Sequence, residues 1–237
     1  MATYVLVHGA WHGSWCWKRV RKSLQAQGHD VFTPTLTGLG ERSHLISPDI
    51  DLETHILDVV NLIRWEELTD VVLCGHSYGG FVISGAADRI PETIRTLVYL
   101  DAFIPEDGEN LLQHIPAEQR DQLLEGAKSI GDGWKVPPIP AEVFNLNAKD
   151  CDWVNRQCTL QPIATFQQKI RLTGRIEAIQ QVIYVRAAEF EDGSPFPPFQ
   201  AKAKAKGWKT VEVPCGHDVM LDEPKTLSDL LLDATEA

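Results

Sequence analysis

Short apolar segments alternate with amphipathic segments along most of this chain. Apolar runs rich in β-branched side chains predict buried strands at residues 3–7, 71–74, 94–100, 182–186 and 210–213, with another strand beginning at residue 29. Apolar residues at helical spacing predict helices at residues 17–27, 52–67, 79–90 and 223–232. Strands that alternate with helices predict an α/β fold with a mostly parallel sheet of about six strands, covered by helices on both faces.

The pattern changes between the strand that ends at Asp101 and the strand that begins near residue 182. Prolines at positions 105, 116, 137, 138, 140 and 162 interrupt short helical pieces, and no strand alternation is visible. We therefore predict that residues 104–178 form a helical cap over the carboxyl ends of the strands, where α/β sheets bind ligands. Residues 1–103 and 179–237 are assigned to the core.

A serine stands between the strand at 71–74 and the helix at 79–90, in the sequence Gly75-His76-Ser77-Tyr78-Gly79. Glycines on both sides allow a sharp strand-to-helix turn in which the serine hydroxyl is exposed. This arrangement is typical of the nucleophile elbow of a hydrolase, and Ser77 is the predicted nucleophile.

A second glycine turn, His8-Gly9-Ala10-Trp11-His12-Gly13, follows the first strand. Such a turn after an early parallel strand supplies half of an oxyanion hole in hydrolases with this elbow. We predict that the N–H groups of Ala10 and Tyr78 form the hole and that Gly9 and Trp11 contact the substrate.

His217 follows the last predicted strand, after Gly216, in the chain order nucleophile, acid, histidine. A serine hydroxyl cannot ionise alone, so an imidazole must accept its proton and later return it. We predict His217 as this base and interpret His8 and His12 as structural histidines with satisfied hydrogen bonds.

Three carboxylates are candidates for the acid that orients the histidine. Asp101 is preferred because it ends the strand next to the one that carries Ser77, and strand ends in such a sheet point into the site. Asp192 and Glu189 lie in the loop after the penultimate strand, which is the usual place for the acid, but a loop with three carboxylates and an Asp-Gly turn is also typical of solvated surface.

The composition excludes several classes of protein. The net charge of −11 argues against nucleic acid and anionic membranes as partners. The five scattered cysteines have neither disulfide-framework nor zinc-site spacing, and the glycine-rich loop at 37–43 lacks the spacing of a phosphate-binding loop. No apolar leader or bilayer-length segment is visible. We expect a cytoplasmic protein without a cofactor or a metal.

The motifs HGAWHGSWCW, GHSYGG and GHD, in this order, resemble the α/β-hydrolase superfamily. The likeness is to the branch of plant methyl-ester esterases, plant hydroxynitrile lyases and related bacterial carboxylesterases. It implies Ser77 as nucleophile, His217 as base and an oxyanion hole at Ala10 and Tyr78. Alignment of the loop before Ser194 implies Asp192 as the acid, whereas the Asp101-to-Pro105 spacing resembles the acid position of haloalkane dehalogenases.

Two departures from the lyases favour an esterase. The lyases have a threonine at the position of Gly9 and a lysine after the catalytic histidine, where this chain has Asp218. The chain is therefore expected to be a serine carboxylesterase for a small apolar or aromatic ester. A ligand-binding protein on the same fold and a hydroxynitrile lyase-type enzyme remain alternatives, and the oligomeric state, a homodimer included, stays open.

Overall fold

The computed structural model describes residues 1–235, and its centre is a six-stranded parallel sheet. In their order across the sheet, its strands are β2 (Asp30–Phe32), β1 (Thr3–Val7), β3 (Val71–His76), β4 (Ile94–Leu100), β7 (Gln181–Ala187) and β8 (Lys209–Val213). The helices are α1 (Lys18–Ala26), α2 (Leu52–Trp65), α3 (Gly79–Arg89), α4 (Ala117–Ser129), α5 (Ala148–Gln157), α6 (Ala164–Gln167), α7 (Pro197–Ala205), α8 (Val219–Asp222) and α9 (Pro224–Asp233). The predicted α/β-hydrolase fold is confirmed.

The strand β3 lies inside the sheet, between β1 and β4, and every residue of it is buried. Its last residues pair in register with both neighbours, so that Gly75 is opposite Val7 on β1 and Tyr99 on β4. Because all strands run in parallel, the turns after β1, β3, β4, β7 and β8 leave the same edge of the sheet. That edge carries the predicted site residues.

Helices α2 and α3 pack closely against each other beside the sheet. Gly85 of α3 makes this possible, because a Cβ atom there would lie 2.3 Å from Cδ1 of Ile56 on α2. Helix α2 begins with a capping box in which the side chain of Asp51 accepts the Thr54 N–H at 2.9 Å. Within residues 1–235, no helix is long and apolar enough to cross a membrane.

The segment between β4 and β7 contains the short helices α4, α5 and α6, as the proline-interrupted pattern predicts. It also contains an antiparallel pair of strands that the sequence does not reveal, β5 (Lys135–Val136) and β6 (Gln161–Pro162). Two residues are too few to show an alternating pattern, so this ladder depends on contacts with the rest of the segment. The boundaries of the cap at residues 104 and 178 stay a prediction.

Candidate active site

Ser77 occupies the sharp turn between β3 and α3, with a φ angle of 55°, in the left-handed region that few residues other than glycine adopt. The glycines around it are required by close backbone contacts. A Cβ atom on Gly75 would lie 2.7 Å from the carbonyl oxygen of Gly79, and one on Gly79 would lie 2.8 Å from that of His8. The turn leaves the Ser77 side chain partly exposed at the floor of a cavity.

The turn after β1 lies directly against the elbow. A Cβ atom on Gly9 would lie 2.8 Å from Nδ1 of His76 and 3.0 Å from Cβ of Ser77, so only glycine fits there without displacement. Ala10 and Tyr78 both line the same cavity as Ser77, and neither of their N–H groups takes part in the turn and loop hydrogen bonds that the structure describes.

Trp11 has a φ angle of 62° and is held in this conformation by the segment between β4 and β7. Its backbone N–H donates to Oε1 of Gln161 at 2.8 Å, and its indole N–H donates to the carbonyl oxygen of Val136 at 3.2 Å. The strands β5 and β6, which carry these acceptors, therefore brace the glycine turn. Sequence reasoning had no signal for this contact, because the partners are distant in the chain.

His217 and Asp101 form a buried hydrogen-bonded pair. Nδ1 of His217 lies 2.7 Å from Oδ2 of Asp101, whose side chain is fully buried. With Nδ1–H donating to the carboxylate, Nε2 of the imidazole is left to accept a proton. A Cβ atom on Gly216 would lie 2.1 Å from the carbonyl oxygen of Asn145, which explains the glycine before the histidine.

Arg186 at the end of β7 neutralises Asp101 on its other side. Its guanidinium donates to Oδ1 of Asp101 at 2.7 Å, and the N–H of Ala187 donates to the same oxygen at 3.2 Å. The guanidinium also donates to the carbonyl oxygens of Ala187 and Phe190. Sequence reasoning treated Arg186 only as the end of a strand, since a charged residue there carries no motif.

The other two acid candidates lie elsewhere. Glu189 and Asp192 are exposed in the loop after β7, and among the described residues neither carboxylate is hydrogen-bonded to His217. Asp192 lines the cavity, whereas Glu189 does not. Instead of a carboxylate, this loop presents Phe190 and Phe196, whose rings lie 5.1 Å and 4.9 Å from the His217 ring.

The cavity over Ser77 has a volume of about 410 Å³ and mostly apolar walls. Its aromatic lining consists of Trp11, Phe103, Phe144, Phe166, Phe190 and Phe196, and the chain from Pro137 to Pro140 adds a further apolar wall. Its polar lining, apart from Ser77, Tyr78 and His217, consists of Gln119, Gln122 and Asp192. Within the described residues, neither a lysine nor an arginine lines it.

Two further histidines support the site without facing the cavity. Burial lowers the pKa of His8 to about 3, so the ring is neutral, and it is hydrogen-bonded to the carbonyl oxygen of Gly9 and the N–H of Leu36. Burial also lowers the pKa of His55, whose Nε2–H donates to the carbonyl oxygen of Thr37. Its Nδ1 then accepts the hydroxyl of Tyr78 at 2.9 Å, which fixes the residue after the nucleophile.

Comparison with known proteins agrees with this geometry. The profile described as "Alpha/beta hydrolase family" matches residues 4–230. The chain belongs to the alpha/beta hydrolase family.

Individual members of the family match this chain to different extents. A carbendazim hydrolyzing esterase of Nocardioides sp. (strain SG-4G) is 47% identical over 239 residues, which cover 98% of each protein. Methylesterase 1 of Arabidopsis thaliana is 37% identical over 142 residues, which cover 55% of this chain and 48% of that protein. An extracellular alpha/beta-hydrolase from a Paenibacillus species has a TM-score of 0.87 at 25% identity, with all of both chains covered.

The relatives just described are named as esterases and hydrolases. This alpha/beta hydrolase is accordingly a carboxylic ester hydrolase, as the sequence motifs predict. The roles of its individual site residues are a separate matter and follow from the geometry.

Proposed function

We propose that the protein is a serine carboxylesterase that hydrolyses small, neutral esters with an apolar or aromatic body. One observation carries the proposal: Ser77, in its strained turn, and His217, which is hydrogen-bonded to the buried Asp101, line the same apolar cavity. A serine, an imidazole and a buried carboxylate in this relation form the triad that activates a hydroxyl for acyl transfer. The proposed triad is therefore Ser77, His217 and Asp101.

In the proposed mechanism, the Ser77 hydroxyl attacks the ester carbonyl carbon while Nε2 of His217 takes the hydroxyl proton. The N–H groups of Ala10 and Tyr78 stabilise the negative oxygen of the tetrahedral intermediate. The C–O bond to the alcohol breaks, and His217 gives its proton to the leaving oxygen. Water then attacks the acyl-enzyme with His217 as base, which releases the acid and restores Ser77.

The walls of the cavity support the substrate class. Its volume is within the range of small-molecule pockets, and its lining has many aromatic rings. Among residues 1–235, no lysine or arginine lines it to pair with an anionic substrate. Carbendazim, which the 47% identical relative is named for hydrolysing, is the methyl carbamate of a planar heteroaromatic amine. We propose that methyl carbamates and methyl esters of planar aromatic compounds are substrates here too.

A hydroxynitrile lyase of Arabidopsis thaliana is 32% identical over 130 residues, which cover 54% of this chain. The site favours ester hydrolysis instead. Asp218 replaces the lysine that the resemblance associates with departing cyanide, and a Cβ atom at Gly9 would collide with His76. The site therefore lacks the lysine that would hold a departing cyanide.

The test is hydrolysis of p-nitrophenyl acetate and carbendazim by the purified protein and by Ser77→Ala, which should be inactive. A fluorophosphonate should label Ser77 and abolish activity, as located by mass spectrometry. Loss of activity with Ser77 unmodified would reject the assignment. Tight binding of carbendazim without turnover would instead favour a ligand-binding protein.

We also propose a cytoplasmic location. The five cysteines are all free thiols in the structure, which supports a reducing compartment.

A further inference from the structure

A second carboxylate is buried next to the proposed base. Asp218 directly follows His217, and its side chain is fully buried. Its Oδ2 lies 3.4 Å from Nε2 of His12, and its Oδ1 lies 3.7 Å from Nε2 of His76. Within the described residues, neither oxygen accepts a hydrogen bond, and no lysine or arginine lies within 4.0 Å of either. The neighbouring imidazoles are therefore the groups that could supply a positive charge to this carboxylate.

His12, at 3.4 Å, is the imidazole nearest to the Asp218 carboxylate. A buried carboxylate is stable as an anion only when a cation is close to it. Burial alone would lower the pKa of His12, but the charge and contact of Asp218 outweigh burial and raise it above its ordinary value. Burial likewise opposes ionisation of Asp218, yet the neighbouring His12 holds the pKa of this carboxyl well below its usual range.

The other groups around this pair remain neutral. Burial, and then the neighbouring His217, hold the pKa of His76 well below its ordinary value. Its Nε2–H donates to the carbonyl oxygen of His217 at 3.1 Å. Burial, with the Asp218 charge added, raises the pKa of the Cys16 thiol well above its ordinary range and that of Cys158 to about 12.

His12 also contacts the turn that carries the proposed oxyanion hole. Its Nδ1 lies 2.7 Å from the carbonyl oxygen of Ala10, and an imidazolium donates from both ring nitrogens. Stacking on Trp15, with ring centroids 5.0 Å apart, holds the plane of the ring. The hydrogen bond therefore fixes Ala10 immediately before Trp11, where φ is positive.

We propose that His12 and Asp218 form a second His–Asp pair whose role is to position the Ala10 N–H for the oxyanion of the transition state. The proposal rests on the proposed ester hydrolysis at Ser77. Asp218 keeps His12 protonated, and His12 holds the Ala10 carbonyl so that the N–H on the other side of this residue points into the cavity. Both are positioning residues, since neither lines the cavity.

The first test needs no substitution. In protein labelled with ¹⁵N-histidine, one buried imidazole should show both N–H protons at pH 7 and lose one as the pH rises through its raised pKa. Since the protonated form is the active one, kcat should fall over the same alkaline range. Assignment with His12→Gln identifies the signal. A neutral His12 at pH 7 would overturn the proposal.

The second test uses Asp218→Asn, with Asp88→Asn as the matched control. Asp88 is also a buried carboxylate, but it accepts hydrogen bonds from Thr173 and Ile176 away from the cavity. Asp218→Asn should abolish the imidazolium signal and lower kcat by about 100-fold, the loss of one oxyanion donor, with KM changed less than about threefold. Asp88→Asn should retain both the signal and kcat.

The affinity for a ligand that forms a tetrahedral adduct with Ser77 distinguishes a loss of oxyanion-hole positioning from general damage to the protein. Asp218→Asn should weaken the binding of an arylboronic acid by about 100-fold, the same factor by which it lowers kcat. The binding of a neutral product alcohol should stay unchanged. An unchanged kcat, or an equal loss of affinity for the boronic acid and the alcohol, would contradict the proposal. Fluorophosphonate labelling of the parent protein at Ser77 tests the proposed function separately, so the two failures are distinguishable.

Discussion

The Nδ1 atom of His217 lies 2.7 Å from Oδ2 of Asp101, although 116 residues separate the two in the chain. Asp101 follows β4, which is the direct neighbour of the strand that carries Ser77. The proposed acid thus comes from the middle of the sheet, before the segment that links β4 to β7, and Phe190 occupies the loop after β7 where the fold usually has a carboxylate. This relationship makes the role of each carboxylate testable.

Asp101→Asn should lower kcat by about 10³ to 10⁴, equivalent to about 4 to 5 kcal/mol of barrier, because the amide no longer stabilises the imidazolium or the required tautomer. Asp192→Asn and Glu189→Gln are matched controls and should stay within a few-fold of the parent. Steady-state kinetics at neutral pH, with circular dichroism to verify folding, provides the measurement. An inactive Asp192→Asn beside an active Asp101→Asn would place the acid after β7.

Ser77→Ala and His217→Ala should each lower kcat by about 10⁴ or more, and the double variant should lose little further, because the residues act as one unit. The measurement is ester hydrolysis at saturating substrate, with thermal melting as a check on stability. If His217→Ala kept activity within tenfold of the parent, the histidine would not be the base.

The proposed nucleophile and base can be recognised in the sequence because the features that mark them are local. Glycines are needed at positions 75, 79 and 216 because a Cβ atom at any of them would lie within 2.8 Å of a backbone carbonyl oxygen. Such glycines can be recognised in the sequence itself. The acid is different, since the choice between Asp101 and Asp192 depends on which strand end folds beside His217. That is a long-range relation with no local pattern.

The contact between His12 and Asp218 is another long-range relation that the sequence does not reveal. Sequence reasoning interpreted His12 as structural and Asp218 only as the residue in place of a lysine. Their 3.4 Å approach depends on β1 and β8 ending at the same edge of the sheet, across most of the chain length. The support of Trp11 by Gln161 and the role of Arg186 were missed for the same reason.

Arg186→Met should destabilise the protein by about 3 to 5 kcal/mol, because it leaves Asp101 buried without its cation. Each kcal/mol lowers the Tm by about 2 to 4 °C in a chain of this size, so thermal unfolding measures the effect. Arg120→Met is the control. Its pair with Asp121 is exposed and should be worth less than about 1 kcal/mol. Equal losses in the two variants would show that Arg186 is not an essential partner of Asp101.

Gly9→Thr should lower kcat/KM by at least about 100-fold, because the new Cβ atom would displace His76 and Ser77 from their present positions. The control is Gly207→Ala, where φ is 71° and no atom lies within 4 Å of the new Cβ. It should cost about 1 to 2 kcal/mol of stability and leave kcat/KM unchanged. Retained esterase activity in Gly9→Thr would mean that the turn adapts to a side chain.

The charge of the substrate provides the last prediction, since Asp192 lines a cavity to which residues 1–235 contribute no lysine or arginine. Methyl benzoate should be hydrolysed with a kcat/KM at least about 100-fold higher than the monomethyl ester of terephthalic acid, whose free carboxylate would be buried unpaired. Most of the difference should be in KM, because the charge is remote from the reacting bond. Asp192→Lys should raise kcat/KM for the anionic ester about tenfold or more and change kcat/KM for methyl benzoate only a few-fold. Equal kcat/KM values for the two esters in the parent protein would show that the charged end remains in solvent, outside the cavity.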